Sequence, residues 1–183
     1  MDSTDSLQDD LLVLQCQQGD VAGFDRLVRR WQQPLLNYAC RLTVDRAAAQ
    51  DAVQETWMVV IRGLVTLKDV TRFRAWLFRI ASHKCQDQWR RHQSSQRFAE
   101  ELQKQSEATG APPGAGKTDI DAAFRRLPPE SRTVLALMYL EDFSVGEIAD
   151  VLSLPEGTVK SRLFHARQQL RKLMEKENKY GTV

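Results

Sequence analysis

A glycine- and proline-rich break divides this 183-residue chain into two unequal parts. Residues 110–116 read Gly-Ala-Pro-Pro-Gly-Ala-Gly, so five of seven positions are Gly or Pro. Proline lacks an amide donor and glycine loses much conformational entropy, so neither sustains a helix. The residues before the break are mostly polar and have little to bury. We therefore predict a flexible linker over 94–118, which joins an N-terminal unit (1–93) to a C-terminal unit (119–183).

The N-terminal unit carries helical periodicity and no strand alternation. Its third predicted helix spaces apolar residues by three and four positions, which is typical of a stripe buried on one face. That stripe comprises Val53, Trp57, Val60, Ile61 and Leu64. The fourth predicted helix has its own inner face at Phe73, Leu77, Ile80 and Ala81. We predict four helices, over about 6–18, 20–42, 45–67 and 72–93.

The C-terminal unit has the pattern of a helix-turn-helix. Helices are predicted over about 119–126 and 130–141, and Ser144 with Glu147 then forms a capping box. After a short turn, Pro155 opens a last helix, a position where proline is tolerated. Its inner stripe is Val159, Leu163, Ala166, Leu170 and Leu173. The sequence thus predicts an all-α protein of two small helical domains.

Charge is segregated although the net charge is only +2. Residues 62–97 hold nine Lys and Arg against two Asp and Glu, and residues 155–172 hold five against one. Basic islands on a balanced chain are the electrostatic footprint of a polyanion partner. The alternative for either island alone is a solvated helix face.

The last helix offers a polar face at its start. With Val159, Leu163 and Ala166 turned inward, side chains that donate to phosphates and base edges remain outside or lateral. These are Thr158, Lys160, Ser161, Arg162, His165 and Arg167. This arrangement favours insertion into the DNA major groove. The alternative is an ordinary antiparallel helix pair with a solvated basic face.

The fourth helix mixes aromatic and basic residues more densely than one buried face accommodates. Exposed aromatic rings among cations suit unstacked bases of single-stranded nucleic acid. The set is Arg72, Phe73, Arg74, Trp76, Phe78, Arg79, His83, Lys84, Trp89, Arg90 and Arg91. The alternative is that the tryptophans pack on neighbouring helices.

The third helix has a polar edge beside its stripe. Asp51, Gln54 and Glu55 lie at i, i+3 and i+4, so they share one side of the helix. An acidic edge repels DNA, so any partner there is expected to be a protein. The alternative is a solvent-facing edge without a partner.

Several classes of function find little support in the sequence. No apolar run approaches the roughly 18 residues of a membrane span, and the acidic start lacks the basic opening of a signal peptide. Cys16, Cys40 and Cys85 are widely spaced, and neither they nor the three histidines have metal-ligand spacing. With no nucleophile–base set and no phosphate loop, we expect a cytoplasmic protein that is not an enzyme, with reduced thiols and no catalytic residue, metal or cofactor.

Four segments together resemble the extracytoplasmic-function (ECF) group of bacterial RNA polymerase sigma factors, in the sigma-70 family. Gly19-Asp20 with Phe24 is similar to the start of the family's second conserved region. The run from Asp51 to Trp57 resembles its core-binding segment, and the run from Phe73 to Ala81 resembles its promoter-melting segment. The fourth region is matched by Leu127-Pro128-Pro129-Glu130 and by residues 155–162.

The resemblance implies a role for each segment, with core RNA polymerase, promoter DNA and an anti-sigma factor as partners. The polymerase would be contacted through its β′ clamp helices and its β flap, the clamp by Asp51, Gln54, Glu55 and Trp57. The minus-ten element would be bound by Arg72, Trp76, Arg79, His83, Lys84, Arg90 and Arg91. The minus-thirty-five element would be read by Thr158, Lys160, Ser161, Arg162, Phe164, His165 and Arg167.

Two positions depart from the family pattern. His83 stands where many relatives carry Asn, and His165 stands where many carry Arg, so both bear on base preference. The alternative function is a stand-alone helix-turn-helix regulator that acts without core polymerase.

Overall fold

The computed structural model describes the backbone of residues 3–103 and 119–180. These two ranges contain eight α-helices, two short 3-10 turns and no strand, which confirms the predicted all-α class. Most of the predicted linker lies outside the described residues. The helices are α1 (Ser3–Gln17), α2 (Val21–Leu42), α3 (Arg46–Gly63), α4 (Phe73–Gln103), α5 (Asp119–Arg125), α6 (Pro129–Tyr139), α7 (Val145–Leu152) and α8 (Glu156–Tyr180).

Helices α2 and α7 begin where a side chain accepts a hydrogen bond from a free backbone amide of the first turn. The carboxylate of Asp20 accepts from Ala22 N at 2.9 Å at the start of α2. The predicted capping box of α7 is also present: Ser144 Oγ accepts from Glu147 N at 3.3 Å, and Glu147 Oε2 accepts from Ser144 N at 2.8 Å. α7 then ends at Ser153, whose φ of 54° makes the tight turn into α8.

α4 extends ten residues beyond its predicted end and occupies the first part of the predicted linker. The helix runs from Phe73 to Gln103, whereas the sequence pattern predicts an end near residue 93. Residues 94–103 contain no Gly or Pro and are mostly Gln, Ser, Arg, Ala, Glu and Leu. Several of these types have high helix propensity, so the helix continues until the glycines and prolines approach.

The core of the N-terminal unit (α1–α4) is built around aromatic rings. Trp31 meets Phe73 and Phe78 edge to face, with ring centroids 6.3 and 5.9 Å apart. Tyr38 approaches Phe78 at 5.1 Å, and its hydroxyl is 2.7 Å from Ser82 Oγ. Phe78 is 0% exposed, so the expectation that this aromatic is available to bases is wrong: it is a core residue.

The C-terminal unit (α5–α8) buries the stripe predicted for its last helix. Val159, Leu163 and Ala166 are at most 2% exposed and pack with Ile148 and Val151 of α7. This packing fixes the angle between α7 and α8, and it leaves the opposite side of α8 outside.

The two units pack directly against each other. Phe143, between α6 and α7, lies 5.3 Å from Phe78 of α4, ring centroid to ring centroid. Arg41 of α2 forms an ion pair with Asp121 of α5. One continuous apolar core therefore spans both units, an arrangement that the sequence pattern does not predict.

Candidate nucleic-acid and polymerase interfaces

The predicted major-groove face of α8 is assembled on the outside of its first three turns. Lys160, Ser161 and His165 are exposed, while Thr158 and Arg162 are half-buried at its margin. Phe164 is 56% exposed, which leaves a large apolar ring among polar neighbours. The face thus combines hydrogen-bond donors with an apolar side chain, both of which are types that contact base edges.

Arg167 lies at the edge of this face and is already engaged within the C-terminal unit. Its Nε donates to the Tyr139 hydroxyl at 2.7 Å, and its guanidinium lies 5.5 Å from that ring. Lys160 similarly has Glu156 Oε2 3.3 Å from its Nζ, one helical turn earlier. Both contacts are solvent-exposed and hence weak, so a phosphate is able to replace them.

The predicted minus-ten cations of α4 divide into two groups by the neighbours they contact. Lys84 and Arg91 lean toward α3, where each pairs with Glu55. Arg79, and Arg72 just before α4, lean toward α7, where both contact Asp150. His83 and Arg90 belong to neither group, and both are exposed. Arg90 Nη1 lies 3.6 Å from Asp87 Oδ1.

Trp76 is half-buried rather than free. Its indole lies against Gly63 at the end of α3, since an added Cβ there would be 3.0 Å from Trp76 Cζ2. Its ring centroid is also 6.3 Å from that of Phe73. One part of the ring packs on the protein and the remainder is accessible.

The α3 edge predicted to bind protein is more extensive than its polar residues indicated. Asp51 and Gln54 are exposed, and Met58 (50%) and Ile61 (55%) continue the same side of the helix. The expectation that Ile61 is buried is therefore wrong, because no described element covers this side of α3. These four positions are separated by three, four and three residues, so the sequence itself contains the pattern of this helix side. We call Asp51, Gln54, Met58 and Ile61 the α3 edge.

Glu55 and Trp57 flank the α3 edge and are tied to neighbouring helices. Trp57 Nε1 donates to Gln32 Oε1 at 2.7 Å, and its ring meets Phe24 edge to face at 6.0 Å. Glu55 accepts from Arg91 and pairs with Lys84, and these two cations hold the pKa of its carboxyl below the ordinary value.

The C-terminal unit carries an apolar groove that does not follow from the sequence pattern. It has a volume of about 580 Å³ between α5, α6 and α8. Its apolar lining consists of Ile120, Phe124, Leu135, Tyr139, Leu140, Leu170 and Met174. Ile120, Tyr139 and Leu140 are about half exposed, so the groove presents an open apolar surface to a partner.

The described ranges contain few other groups suited to metal binding or nucleophilic chemistry. No group of three or more His, Cys, Asp or Glu is placed to hold a metal ion there. Cys16 and Cys40 are half-buried thiols, and burial raises the pKa of the Cys85 thiol to about 12. None of the described helices has the length and apolarity that a membrane crossing needs.

An outward basic helix in a helix-turn-helix, joined to a helical bundle with a second basic helix, defines a DNA-binding transcription protein. Matches to two protein-family models narrow this class to one family. Residues 27–95 match the model of Sigma-70 region 2, and residues 117–170 match that of Sigma-70 region 4. The chain belongs to the ECF group of RNA polymerase sigma factors.

Individual relatives and solved structures agree with this assignment. The chain is 31% identical over 182 residues to the RNA polymerase sigma-H factor of Pseudomonas aeruginosa, covering 92% of this chain and 94% of the relative. It is 35% identical over 147 residues to the ECF RNA polymerase sigma factor SigL of Mycobacterium tuberculosis, covering 75% and 80%. Its structure is similar to that of CnrH in complex with the cytosolic domain of CnrY, with a TM-score of 0.70, 27% identity, and coverage of 92% and 97%.

Proposed function

We propose that this chain binds core RNA polymerase in the cytoplasm and directs it to promoters, where the N-terminal unit opens the DNA. One observation carries the proposal: the chain presents a partly apolar α3 edge and a basic α8 face on separate exposed surfaces. A stand-alone DNA-binding regulator needs the α8 face, whereas the α3 edge calls for a protein partner.

The α8 face would read the minus-thirty-five element. Thr158, Lys160 and Ser161 lie in its first turn and a half, where the helix N-terminus also attracts phosphate. Arg162, Phe164, His165 and Arg167 would extend the contact along the groove. Of these, Phe164 offers an apolar surface suited to a thymine methyl group.

α4 and the residue before it would bind the minus-ten strand. Opening duplex DNA costs roughly 1.4 kcal/mol for each base-pair step of stacking. Stacking of a captured base on an aromatic side chain returns roughly 1–3 kcal/mol. Trp76 would offer the accessible part of its ring, and the phosphates would be bound by Arg72, Arg79, His83, Lys84, Arg90 and Arg91.

Two surfaces would bind the polymerase. The α3 edge, with Glu55 and Trp57 beside it, would contact the β′ clamp helices, where Met58 and Ile61 supply apolar area and Asp51 and Gln54 supply specificity. The apolar groove between α5, α6 and α8 would receive the β flap. An anti-sigma factor that covers either surface would then exclude polymerase.

Under this proposal each unit of the chain has a defined range of residues. Residues 1–93 would form the polymerase-binding and minus-ten unit, 119–183 the minus-thirty-five unit, and 94–118 the connection. The extension of α4 to Gln103 shortens the part of that connection that needs to be non-helical.

The deciding experiment is transcription reconstituted from purified core polymerase and this chain on a pool of genomic promoters. Met58→Lys is expected to abolish co-purification with core polymerase and run-off transcription. Leu11→Lys is the matched control, since Leu11 is a similarly exposed residue (60%) on α1. No transcription with the unmodified chain, together with tight duplex binding in the absence of polymerase, would support the stand-alone regulator instead.

A further inference from the structure

The groove between α5, α6 and α8 combines an apolar floor with charge along one side. Its buried and half-buried lining residues are all apolar, namely Phe124, Leu135, Leu170 and Met174. Its charged lining residues are Arg167, Arg171 and Glu175, which all belong to α8. They follow one another at steps of four residues, so they form a row along one side of the helix. We call these three residues the α8 rim.

The α8 rim has hydrogen-bond donors that its own contacts do not use. Arg167 Nε donates to the Tyr139 hydroxyl at 2.7 Å, and Arg171 Nε donates to Glu175 Oε1 at 2.7 Å. Among the described residues, the Nη groups of both arginines have no hydrogen-bond partner. The Tyr139 hydroxyl is the acceptor in its bond, so its own proton is also available. Guanidinium groups one helical turn apart are able to share one carboxylate, which each contacts through its Nη donors.

The size of the groove suits a small molecule. Its volume of about 580 Å³ lies within the roughly 300–1,000 Å³ of small-molecule sites, which are likewise apolar with a few polar groups. Ile120, Tyr139 and Leu140 are its exposed apolar residues, and each is only about half exposed. Alone, they offer far less than the roughly 800 Å² that each partner buries in a stable dimer. The rim has two cations and one anion, so it favours an anionic ligand over a cationic one.

We propose that this groove binds a single-chain amphipathic carboxylate of the fatty-acid class. The hydrocarbon chain lies on the apolar floor, and the carboxylate lies at the α8 rim, where Arg167, Arg171 and Tyr139 donate to it. A bound carboxylate would occupy the surface that we propose for the β flap, so the ligand would compete with that contact. This competition rests on the proposed function, whereas binding by the free chain does not.

The first measurement locates the ligand on the free full-length chain. Dodecanoate, kept below its critical micelle concentration, is titrated into protein labelled at Met and Ile methyl groups and followed by NMR. The Met174 and Ile120 methyl signals are expected to shift. Met58 is the internal control, since it is about as exposed (50%) but lies on the α3 edge, and its signal is expected to stay in place. Octanoate should bind at least tenfold more weakly, because each buried CH₂ tightens binding about fourfold.

Variants separate recognition of the head group from adsorption of a surfactant. Arg171→Glu is expected to weaken dodecanoate binding about fivefold relative to Lys172→Glu, the matched control. Lys172→Glu makes the same charge change at the next residue, which is exposed and does not line the groove. Arg171→Glu should also gain affinity for dodecyltrimethylammonium. Leu140→Glu places a carboxylate in the groove and should abolish binding, whereas Leu7→Glu, at an exposed leucine of α1 (63%), should not.

The second measurement tests competition in reconstituted transcription from a promoter that requires the minus-thirty-five element. Dodecanoate is added at a concentration that saturates Lys172→Glu but not Arg171→Glu. Run-off product is expected to fall about fivefold with Lys172→Glu and to change much less with Arg171→Glu. Each variant is compared with itself in the absence of dodecanoate, which removes any difference in its basal activity.

The outcomes distinguish this inference from the proposed function. Failure of the Met174 and Ile120 signals to shift, or equal affinity for dodecanoate and dodecyltrimethylammonium, overturns the site. Specific binding without inhibition of an active polymerase complex overturns the competition with the β flap. If no transcription occurs even without dodecanoate, the proposed function is wrong, and the carboxylate site is still decided by the titration of the free chain.

Discussion

Arg91 Nη1 donates to Glu55 Oε1 at 2.8 Å, which links α4, the helix proposed to bind DNA, to the helix that carries the α3 edge. Lys84 Nζ lies 3.1 Å from the other carboxylate oxygen, so one acidic side chain holds two predicted minus-ten cations. A polymerase cation that engaged Glu55 would therefore loosen both. The proposed polymerase-binding and DNA-binding surfaces are therefore adjacent, and Glu55 contacts both.

Replacing Glu55 by Gln tests whether this residue also stabilises the fold. The substitution removes two ion pairs between α3 and α4, and we expect it to cost about 1 kcal/mol. The thermal midpoint should fall by about 2–4 °C. Asp51→Asn, at an exposed position on the same helix, should leave the midpoint unchanged while weakening polymerase binding as Glu55→Gln does. Equal midpoints for the two variants would mean that Glu55 contributes only to binding. A Glu55→Lys reversal does not separate these roles, because it brings a third cation to Lys84 and Arg91.

The pH dependence of the contact between the units should be governed by Glu141. Burial raises the pKa of its carboxyl to about 7, Asp142 adds to this effect, and Arg74 opposes it. Asp5 and Arg30 line the same crevice from α1 and α2. Since the raised pKa disfavours the ionised form, the stability that Glu141 contributes is present below its ordinary pKa, near 4.5, and is lost as the pH rises through about 7.

Glu141→Gln should therefore raise the thermal midpoint at pH 8 and leave it unchanged at pH 4.5, where the wild-type carboxyl is already protonated. Scanning calorimetry of both proteins at the two pH values checks this. A stabilisation of equal size at both pH values would show that Glu141 does not titrate in this range.

Arg162 should contribute to duplex recognition and not to the fold. Arg162→Ala is expected to weaken minus-thirty-five binding by about 1–3 kcal/mol if the side chain contacts a base. Lys172→Ala is the matched control, since Lys172 is an exposed cation further along α8. Fluorescence anisotropy with the polymerase complex on promoter DNA measures the difference. Equal losses in both variants would indicate a general electrostatic effect rather than recognition.

Local features of the fold were predictable from the sequence because they depend on neighbours in the chain. The cap at Asp20, the capping box at Ser144 and the buried stripe through Val159 each require only residues within a few turns. The predicted end of α4 is ten residues too early, because the polar run after residue 93 adjoins the Gly- and Pro-rich segment while its own residue types favour a helix.

Burial that depends on distant elements was not predictable in the same way. Phe78 is covered by Trp31, Tyr38 and, from the other unit, Phe143. Ile61 belongs to an apolar stripe by spacing, yet no described helix packs over it. The arrangement of the helices decides which apolar residues are covered. The same arrangement exposes the α3 edge and encloses part of α4.

The buried pair Tyr38 and Ser82 gives a stability prediction that does not depend on function. Ser82 Oγ donates to the carbonyl of Phe78 at 2.7 Å, so the Tyr38 hydroxyl is the donor in its 2.7 Å contact with Ser82. Ser82→Ala would leave the fully buried tyrosine hydroxyl without an acceptor and should cost about 1–3 kcal/mol. Tyr38→Phe leaves the bond from Ser82 to Phe78 in place and should cost about 1 kcal/mol or less. Urea unfolding of the two variants measures the difference, and a larger loss for Tyr38→Phe would mean that the hydroxyl has another acceptor.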